Sequence, residues 1–328
     1  MQHDDIQAIQ RTYDHVYISP HFDDVAASCG GRILNQKHAG QSVLLVTVFS
    51  ARANQDTRVK NRALQAMLDY DRRRLEDIEA MRRLGVDFLW LDFPEVLFRR
   101  QPPWRRYWLT YPQTAANQRL CRQVTVKLNE VCRQTRCLEM VLPLGVGQHV
   151  DHQILFQAGL SLYQYCDCPC SITFYEEMPY VLFPFLRNYR LKKIISGEIE
   201  LRQHHRTSAR YAQMSTKKLV YLLTAMPSLG LRPGLLRPWV PLGLKCLDFC
   251  VRHLVRHSTA SFSPDQIRPA VEDISAVIDQ KVAAISAYRS QLSDSSMEPH
   301  AIKNWLAAYS HGIGMPTGFY GELYWHAI

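Results

Sequence analysis

The amino-acid sequence predicts an α/β protein: a mostly parallel β-sheet with helices on both faces, joined to a basic, Pro-rich segment and a helical C-terminus. Short apolar runs alternate with helical patterns from His15 to Glu177, as expected of a parallel sheet built from strand–helix units. With 328 residues, 47 % of them hydrophobic, the chain can bury a large core, which excludes disordered chains and small disulfide scaffolds. The charge is uneven. Residues 185–216 hold seven basic and two acidic residues, and 217–257 hold seven basic and one acidic, so the stretch 185–257 carries +11 and the rest of the chain −2.

The elements follow in order. HVYIS (15–19) reads as a short buried strand and 24–38 as a helix. SVLLVTVFS (42–50) is a β-branched run of strand length. Over 72–84, Leu75, Ile78, Met81 or Arg82, and Leu84 recur at helical spacing, and Gly85 ends the helix. FLWLDF (88–93) is strand-like; Leu120, Val124, Leu128 and Val131 mark a helix; MVLPL (140–144) is a strand. A helix over 154–165 and a strand at SITFYEE (171–177) complete the alternation. Next, PSLGLRPGLLRPWVPLGLKC (227–246) places four prolines and three glycines among apolar residues, a pattern that breaks regular helices. Three parts result: a core with the site over 1–184, a basic insertion or cap over 185–261, and a helical part over 262–328 that packs back on the core.

Composition limits the function classes. The longest run without a charged residue, 304–321, is 18 residues long and interrupted by four Gly, a Pro and a His; a membrane span needs about 20 predominantly apolar residues. The first residues lack the basic-then-apolar start of a secretory signal. Nine cysteines without regular disulfide spacing fit reduced thiols and a cytoplasmic location. The net charge of +9 points to acidic partners such as phosphates, nucleic acid or anionic lipid.

Ligands of parallel sheets bind at the carboxyl ends of the strands, and two motifs sit there. Ser19-Pro20-His21-Phe22-Asp23-Asp24 follows the first strand, and Gly145-Val146-Gly147-Gln148-His149-Val150-Asp151-His152 follows MVLPL; each runs into a helix. If both strands lie near the middle of one sheet, six ionisable groups converge. A mixed His and carboxylate set of three ligands with one open position is how catalytic zinc is held. Either motif alone also matches a helix start, where Asp caps amides and favours the dipole. Two such motifs at strand ends of one sheet are much harder to explain that way.

These residues resemble the PIG-L (LmbE-like) family of zinc-dependent deacetylases, which act on N-acetylglucosaminyl compounds. SPHFDD with Cys29-Gly30-Gly31 is similar to the family's HPDDE signature, and GQHVDH to its HPDH signature. Arg73-Arg74-Leu75-Glu76-Asp77 with Ala80 and Leu84-Gly85, Phe174-Tyr175-Glu176-Glu177-Met178-Pro179-Tyr180, and Lys281 through Tyr288-Arg289-Ser290-Gln291 resemble three further family segments. The resemblance implies a Rossmann-like sheet, His21, Asp24 and His152 as ligands of Zn2+, Asp23 as general base, His149 as the acid that protonates the leaving amine, and Asp151 as the carboxylate that orients it. Fe2+ or Co2+ would suit the same donors. The sequence departs from the family pattern at Phe22, Val25, Gly147 and Tyr288; some relatives carry a Tyr at the position of Gly147, suggested to help hold the oxyanion.

Arg73 matches the family arginine that contacts sugar or phosphate, with a solvated helix face as the alternative. Glu95 lies near the family's acidic sugar contact, with a plain loop carboxylate as its alternative. FRRQPPWRRYWLTY (98–111) interleaves arginines and aromatics suited to sugar rings and phosphates, or to packing on the core. Cys166-Asp167-Cys168-Pro169-Cys170 has spacings unlike a structural zinc site and reads as a turn, while Cys246 and Cys250 read as core. Phe319, Tyr320, Tyr324 and Trp325 read as packing residues. The expected function is removal of an N-acetyl group from an acetylamino sugar or glycoconjugate, with peripheral membrane contact through 185–257 as one use of the charge. The alternatives are hydrolysis of another amide or an ester and, ranked far lower because no recognised motif is present, nucleic-acid binding.

Overall fold

The computed structural model describes residues 1–51, 69–99, 114–165, 169–196, 261–290 and 298–328. The strands are β1 (Gln2–His3), β2 (His15–Ser19), β3 (Val43–Thr47), β4 (Asp87–Trp90), β5 (Glu139–Pro143), β6 (Ser171–Tyr175), β7 (Ile267–Asp273) and β8 (Gly321–Ala327). The helices are α1 (Asp24–His38), α2 (Tyr70–Leu84), α3 (Ala115–Thr135), α4 (Val150–Tyr165), α5 (Pro184–Ile194), α6 (Ile278–Ile285) and α7 (Pro299–Gly312). All eight strands form one sheet in the order β1-β4-β3-β2-β5-β6-β8-β7. The pairings from β1 to β6 are parallel, and β8 is antiparallel to both β6 and β7.

This order explains why β2 and β5 matter. From β2 the chain winds through α1 to β3 on one side, and from β5 through α4 to β6 on the other. Right-handed crossovers in opposite directions put α1 and α4 on opposite faces, and α1 packs with α2 and α6 while α4 packs with α3. The strand order reverses between β2 and β5, and the crevice at their carboxyl ends is where open α/β sheets bind ligands. Strands covered on both faces should be apolar throughout; Val43–Thr47 and Glu139–Pro143 are buried along their whole length.

Every strand and helix expected between His15 and Glu177 is present, with strand ends trimmed and the helix expected at 154–165 beginning at Val150. The face of α2 is corrected in part, since Met81 and Leu84 are buried as expected. Leu75 (69 % exposed) and Ile78 (39 %) point outward, while Arg73, Glu76 and Asp77 are buried. The inner face of α2 carries polar groups because it meets polar partners: Glu76 accepts from Ser290 N (2.8 Å) and Oγ (2.6 Å), and Asp77 accepts from Tyr288 (2.7 Å) and Trp90 (2.8 Å). Tyr288, a departure from the family pattern, thus ties α2 to the turn that follows α6.

The C-terminal part contains the expected helices and also adds β7 and β8 to the sheet, so its aromatics Tyr324 and Trp325 are fully buried, whereas Phe319 is exposed. Glu322 on β8 accepts from Gly31 N (2.8 Å), Arg32 N (2.9 Å) and Lys281 Nζ (2.7 Å), joining α1, α6 and β8. The Gly30-Gly31 pair permits this approach: a Cβ on Gly31 would lie 2.5 Å from Ile274 Cγ2.

Part of the basic stretch belongs to this core. Arg187 donates to Glu176 (2.8 Å) and Arg190 to Leu144 O (2.6 Å), both buried within α5. Ile195 then bridges Phe262, with Ser196 N donating to Phe262 O (2.9 Å) and Ser261 N to Ile194 O (2.9 Å). The chain therefore departs after Ser196 and returns at Ser261 at one place. The rest of the basic stretch, residues 100–111 of the Arg/aromatic motif, Cys166, Cys168, Cys246 and Cys250 lie outside the described residues. No helix among the described residues is long and apolar enough to cross a membrane.

Candidate active site

The two motifs meet. His21 and Asp23 stand in the turn after β2, Asp24 begins α1, and His149 ends the turn before α4, whose first turn holds Asp151 and His152. Asp23 occupies the N-cap position of α1 but makes no side-chain cap hydrogen bond, so capping is not what this carboxylate does. The second turn has left-handed backbone at Gly145 (φ 84°) and Gln148 (φ 58°). Gly145 and Val146 donate their amides to Glu177 (2.5 and 3.1 Å), and Gln148 and Gln153 side chains donate to Gly145 O (3.1 and 2.8 Å). The loop is fixed before any ligand arrives.

Three imidazoles form a triangle with ring centroids 5.0 Å (His21–His149), 5.4 Å (His21–His152) and 5.2 Å (His149–His152) apart. Asp24 Oδ2 accepts from His21 N (2.9 Å) and lies 3.0 Å from His21 Nδ1 and 3.3 Å from His152 Nε2. The ligand atoms of His21, Asp24 and His152 all lie within 4.8 Å of one another, as do those of His21, His149 and Asp151. His152 Nδ1 is 3.2 Å from Glu177 Oε1. Its Nε2 is buried and makes no hydrogen bond despite its closeness to Asp24. A buried nitrogen that makes no hydrogen bond costs free energy, and this one belongs to a donor set of two imidazoles and a carboxylate that suits a divalent cation.

Asp151 has several partners in the site. Its carboxylate is engaged by His21 Nε2 (3.2 Å), Val96 N (3.0 Å) and Arg99 Nη2 (2.5 Å), while its amide donates to His149 Nδ1 (3.3 Å). Against the opposing effect of burial, Glu95, Asp151 and Asp24 hold the His21 imidazole well above its ordinary pKa, and Asp24 and Glu177 hold His152 up at about 9. Burial, helped by His21 and His152 and opposed by Asp151, brings His149 down to about 3. Burial and the neighbouring Asp24 raise the Asp23 carboxyl.

Both substrate candidates reach this cluster. Glu95 Oε1 is 3.9 Å from His21 Nε2, and Glu95 Oε2 is 3.3 Å from Arg73 Nη1 and accepts from the Tyr70 hydroxyl. Arg73 is 4 % exposed, so its solvated-face alternative is excluded; its guanidinium lies over Tyr70 (4.9 Å) and Phe22 (5.3 Å). Phe22, in place of the family's Pro, supplies one of these faces. At Gly147 a Cβ would lie 2.4 Å from the Tyr180 ring, which faces His152 at 5.6 Å. The space a side chain would take at position 147 is thus filled by Tyr180.

Sequence reasoning gave no role of their own to Glu177, Tyr70, Tyr180 or Gln153, each of which holds a site residue or the loop carrying it, and read Arg99 as one arginine of a sugar- or phosphate-contacting motif, not as the partner of Asp151. For Glu177 and Tyr180 a signal existed, because both lie in the FYEEMPY segment that resembles a family motif. Tyr70 approaches through a distant chain position and left no local pattern.

A doubly wound α/β sheet with a cluster of histidines and carboxylates at its switch point defines a class of ligand-binding proteins, and the comparisons place this one within it. Residues 16–163 match the family model PIG-L, described as GlcNAc-PI de-N-acetylase. A 2'-N-acetylparomamine deacetylase of Niallia circulans is 28 % identical over 188 residues, covering 50 % of this chain and 66 % of that protein, just under two thirds of its length. Among solved structures, a deacetylase of the teicoplanin biosynthesis pathway superposes with a TM-score of 0.63 at 19 % identity, covering 97 % of this chain and 98 % of that one. The zinc-inhibited form of teicoplanin deacetylase gives 0.59 at 18 % identity, covering 97 % and 98 %. An A40926 pseudoaglycone deacetylase gives 0.59 at 17 %, covering 96 % and 97 %. These structures share the fold.

Proposed function

We propose that the chain is a divalent-metal-dependent N-deacetylase that releases acetate from an acetylamino sugar or glycoconjugate. The observation that carries this reading is the convergence of His21, Asp24 and His152 at the β2/β5 switch point, with the buried Nε2 of His152 making no hydrogen bond. The PIG-L match and the paromamine deacetylase relative support the reaction class. In this reading His21, Asp24 and His152 hold the cation, with Zn2+ as the first choice for such donors and Fe2+ or Co2+ as alternatives. A bound divalent cation supplies Lewis acidity, polarising the amide carbonyl and acidifying water.

The chain's own residues do the rest. Asp23, beside the ligands and not capping α1, accepts the proton of the attacking water. His149, next to Asp151 and uncharged in the free protein, relays to the departing nitrogen the proton that Asp23 takes from the water, since an amine leaves poorly until protonated. The loop bonds to Glu177, Gln148 and Gln153 set these groups in place beforehand, so little ordering remains to be done in the reaction. Arg73 and Glu95 contact hydroxyl or phosphate groups of the sugar.

The basic segment bears on the substrate's surroundings. Four of its positive charges lie on α5, where Arg187 and Arg190 are buried, leaving +7 on residues 197–260. Its adjacent ends support reading 197–260 as an insertion, narrower than the expected 185–261. In this reading it meets phosphate on the substrate or an anionic membrane surface in the cytoplasm; co-sedimentation with anionic vesicles that falls with salt fits the membrane use, and binding indifferent to anionic lipid removes it.

The test is acetate release from a panel of N-acetylated amino sugars, with divalent metal measured in the same preparation. Acetate from at least one member, abolished by chelation and restored by metal, is the expected result. No bound divalent metal together with no acetate from any member defeats the reading.

A further inference from the structure

Three cysteines from separate parts of the sequence come together far from the catalytic cluster. Cys132 lies in the last turn of α3, Cys137 in the connection to β5, and Cys170 immediately before β6. Their sulfurs all lie within 4.8 Å of one another, and Cys132 Sγ is 3.2 Å from Cys170 Sγ. Cys132 and Cys137 are buried, and Cys170 is half-buried. With four intervening residues, the Cys132/Cys137 pair has the upper C-x₂₋₄-C spacing of structural zinc sites. Arg136 makes that spacing work: its backbone is left-handed (φ 49°), its amide donates to Cys132 O (2.9 Å), and the chain turns so that Cys137 faces back to Cys132.

We propose that Cys132, Cys137 and Cys170 form a second metal site, a thiolate site for a soft cation such as Zn2+. Zn–S bonds are about 2.3 Å long, so two sulfurs sharing one zinc are at most about 4.6 Å apart; the cluster needs little movement to close on an ion. Three thiolates leave one position for water or a further donor, and binding displaces the thiol protons. The place in the fold assigns the role. These cysteines stand at the amino ends of β5 and β6, and the His/Asp cluster at the carboxyl end of β5, roughly 16 Å away along a five-residue strand. The ion therefore staples α3, β5 and β6 and takes no part in chemistry. This inference is independent of the proposed deacetylase activity. It also gives Cys170, read from sequence as part of a turn, partners that are distant along the chain.

The test uses the full chain, reduced, stripped of metal and titrated with Co2+. Thiolate-to-cobalt charge-transfer absorption in the near ultraviolet arises from sulfur ligands and not from His/Asp ligands. It is expected in the wild type and in His152→Ala, and lost in Cys170→Ser. Its absence from the wild type overturns the site. A second measurement needs no variant: alkylation of wild-type protein with iodoacetamide, mapped by peptide, with Zn2+ or with chelator. Zn2+ is expected to slow labelling of Cys132, Cys137 and Cys170 by tenfold or more, with half-buried Cys121 unchanged as the control. Equal labelling in both conditions, or a disulfide among the three in protein kept anaerobic from lysis onward, overturns it.

Discussion

His152 shows how a single side chain is prepared. Glu177 faces its Nδ1, fixing which nitrogen remains for a cation, and the same carboxylate gathers the amides of Gly145 and Val146. Carboxylates behind metal-bound histidines orient the ring and raise its basicity. Glu177→Gln is therefore expected to weaken metal binding at this site about 10- to 100-fold, read by competition with a chelator of known affinity. Asp23 is a different case, because it lies beside the proposed ligands and makes no capping bond. Asp23→Asn should keep the metal and lower kcat about a hundred- to ten-thousandfold, the range for losing a general base; an unchanged kcat with full metal content would remove the base assignment. At this scale His21, Asp24, His149 and His152 were legible in the sequence because each motif is local and follows a strand. Tyr70, the Arg99 contact with Asp151 and the cysteine trio were not, since only the tertiary fold brings them to their partners. The Arg73 side chain illustrates the limit most clearly: three consecutive arginines look like a solvated face, and only the packing against Glu95, Tyr70 and Phe22 shows that one of them is buried.

At the level of elements, the alternation of apolar runs and helical periods led to the right strands because buried parallel strands leave short, continuous apolar runs. The same logic was half right on α2: of the residues that apolar periodicity selected, Met81 and Leu84 are buried but Leu75 and Ile78 are exposed, and Arg73, Glu76 and Asp77 share the buried face. Hydrophobic spacing cannot anticipate a helix whose inner side binds carboxylates and hydroxyls. Strand β5 carries a comparable buried charge at its other end. Glu139 lies between His15 (2.8 Å), Arg32 (3.1 Å) and Thr173 (2.6 Å). Burial pushes its pKa up, but the His15 hydrogen bond, the Arg32 charge and the Thr173 hydroxyl outweigh it and hold the group at about 2. The folded-state pKa is lower than the unfolded one, so the carboxylate stabilises the fold above about pH 4.5 and that contribution is lost as pH falls through about 2. Glu139→Gln should accordingly be less stable than wild type near pH 6, and the gap should close by roughly 3 kcal/mol on acidification, as read from denaturant midpoints across pH. A gap independent of pH would mean that the charge is not what stabilises this end of the strand.

Over the whole molecule, the chain is held together by the return of its C-terminal part. β8 completes the sheet beside β6, and Glu322 links it to α1 and α6. The sequence suggested that this part packs back on the core through helices; its two strands were missed because GELYWHA and IRPAVED become strands mainly through pairing with each other and with β6. The close approach depends on Gly31. Gly31→Ala should cost about 1–3 kcal/mol of stability through its contact with Ile274, visible as a lowered Tm without a change of fold. The charge also has a sharper location at this scale: α5 uses part of it internally, and +7 remains between Ser196 and Ser261, whose neighbours are hydrogen-bonded together. The central claim is that the β2/β5 cluster is a metal-dependent deacetylase centre. Its most direct test is to strip the protein of metal, restore Zn2+ in known equivalents, and follow acetate release from an N-acetylated amino sugar in wild type and His152→Ala. The account predicts activity that appears with the first equivalents bound by the wild type and is absent from His152→Ala at every zinc level. Equal acetate release by the metal-free and restored protein, or by His152→Ala, would contradict it.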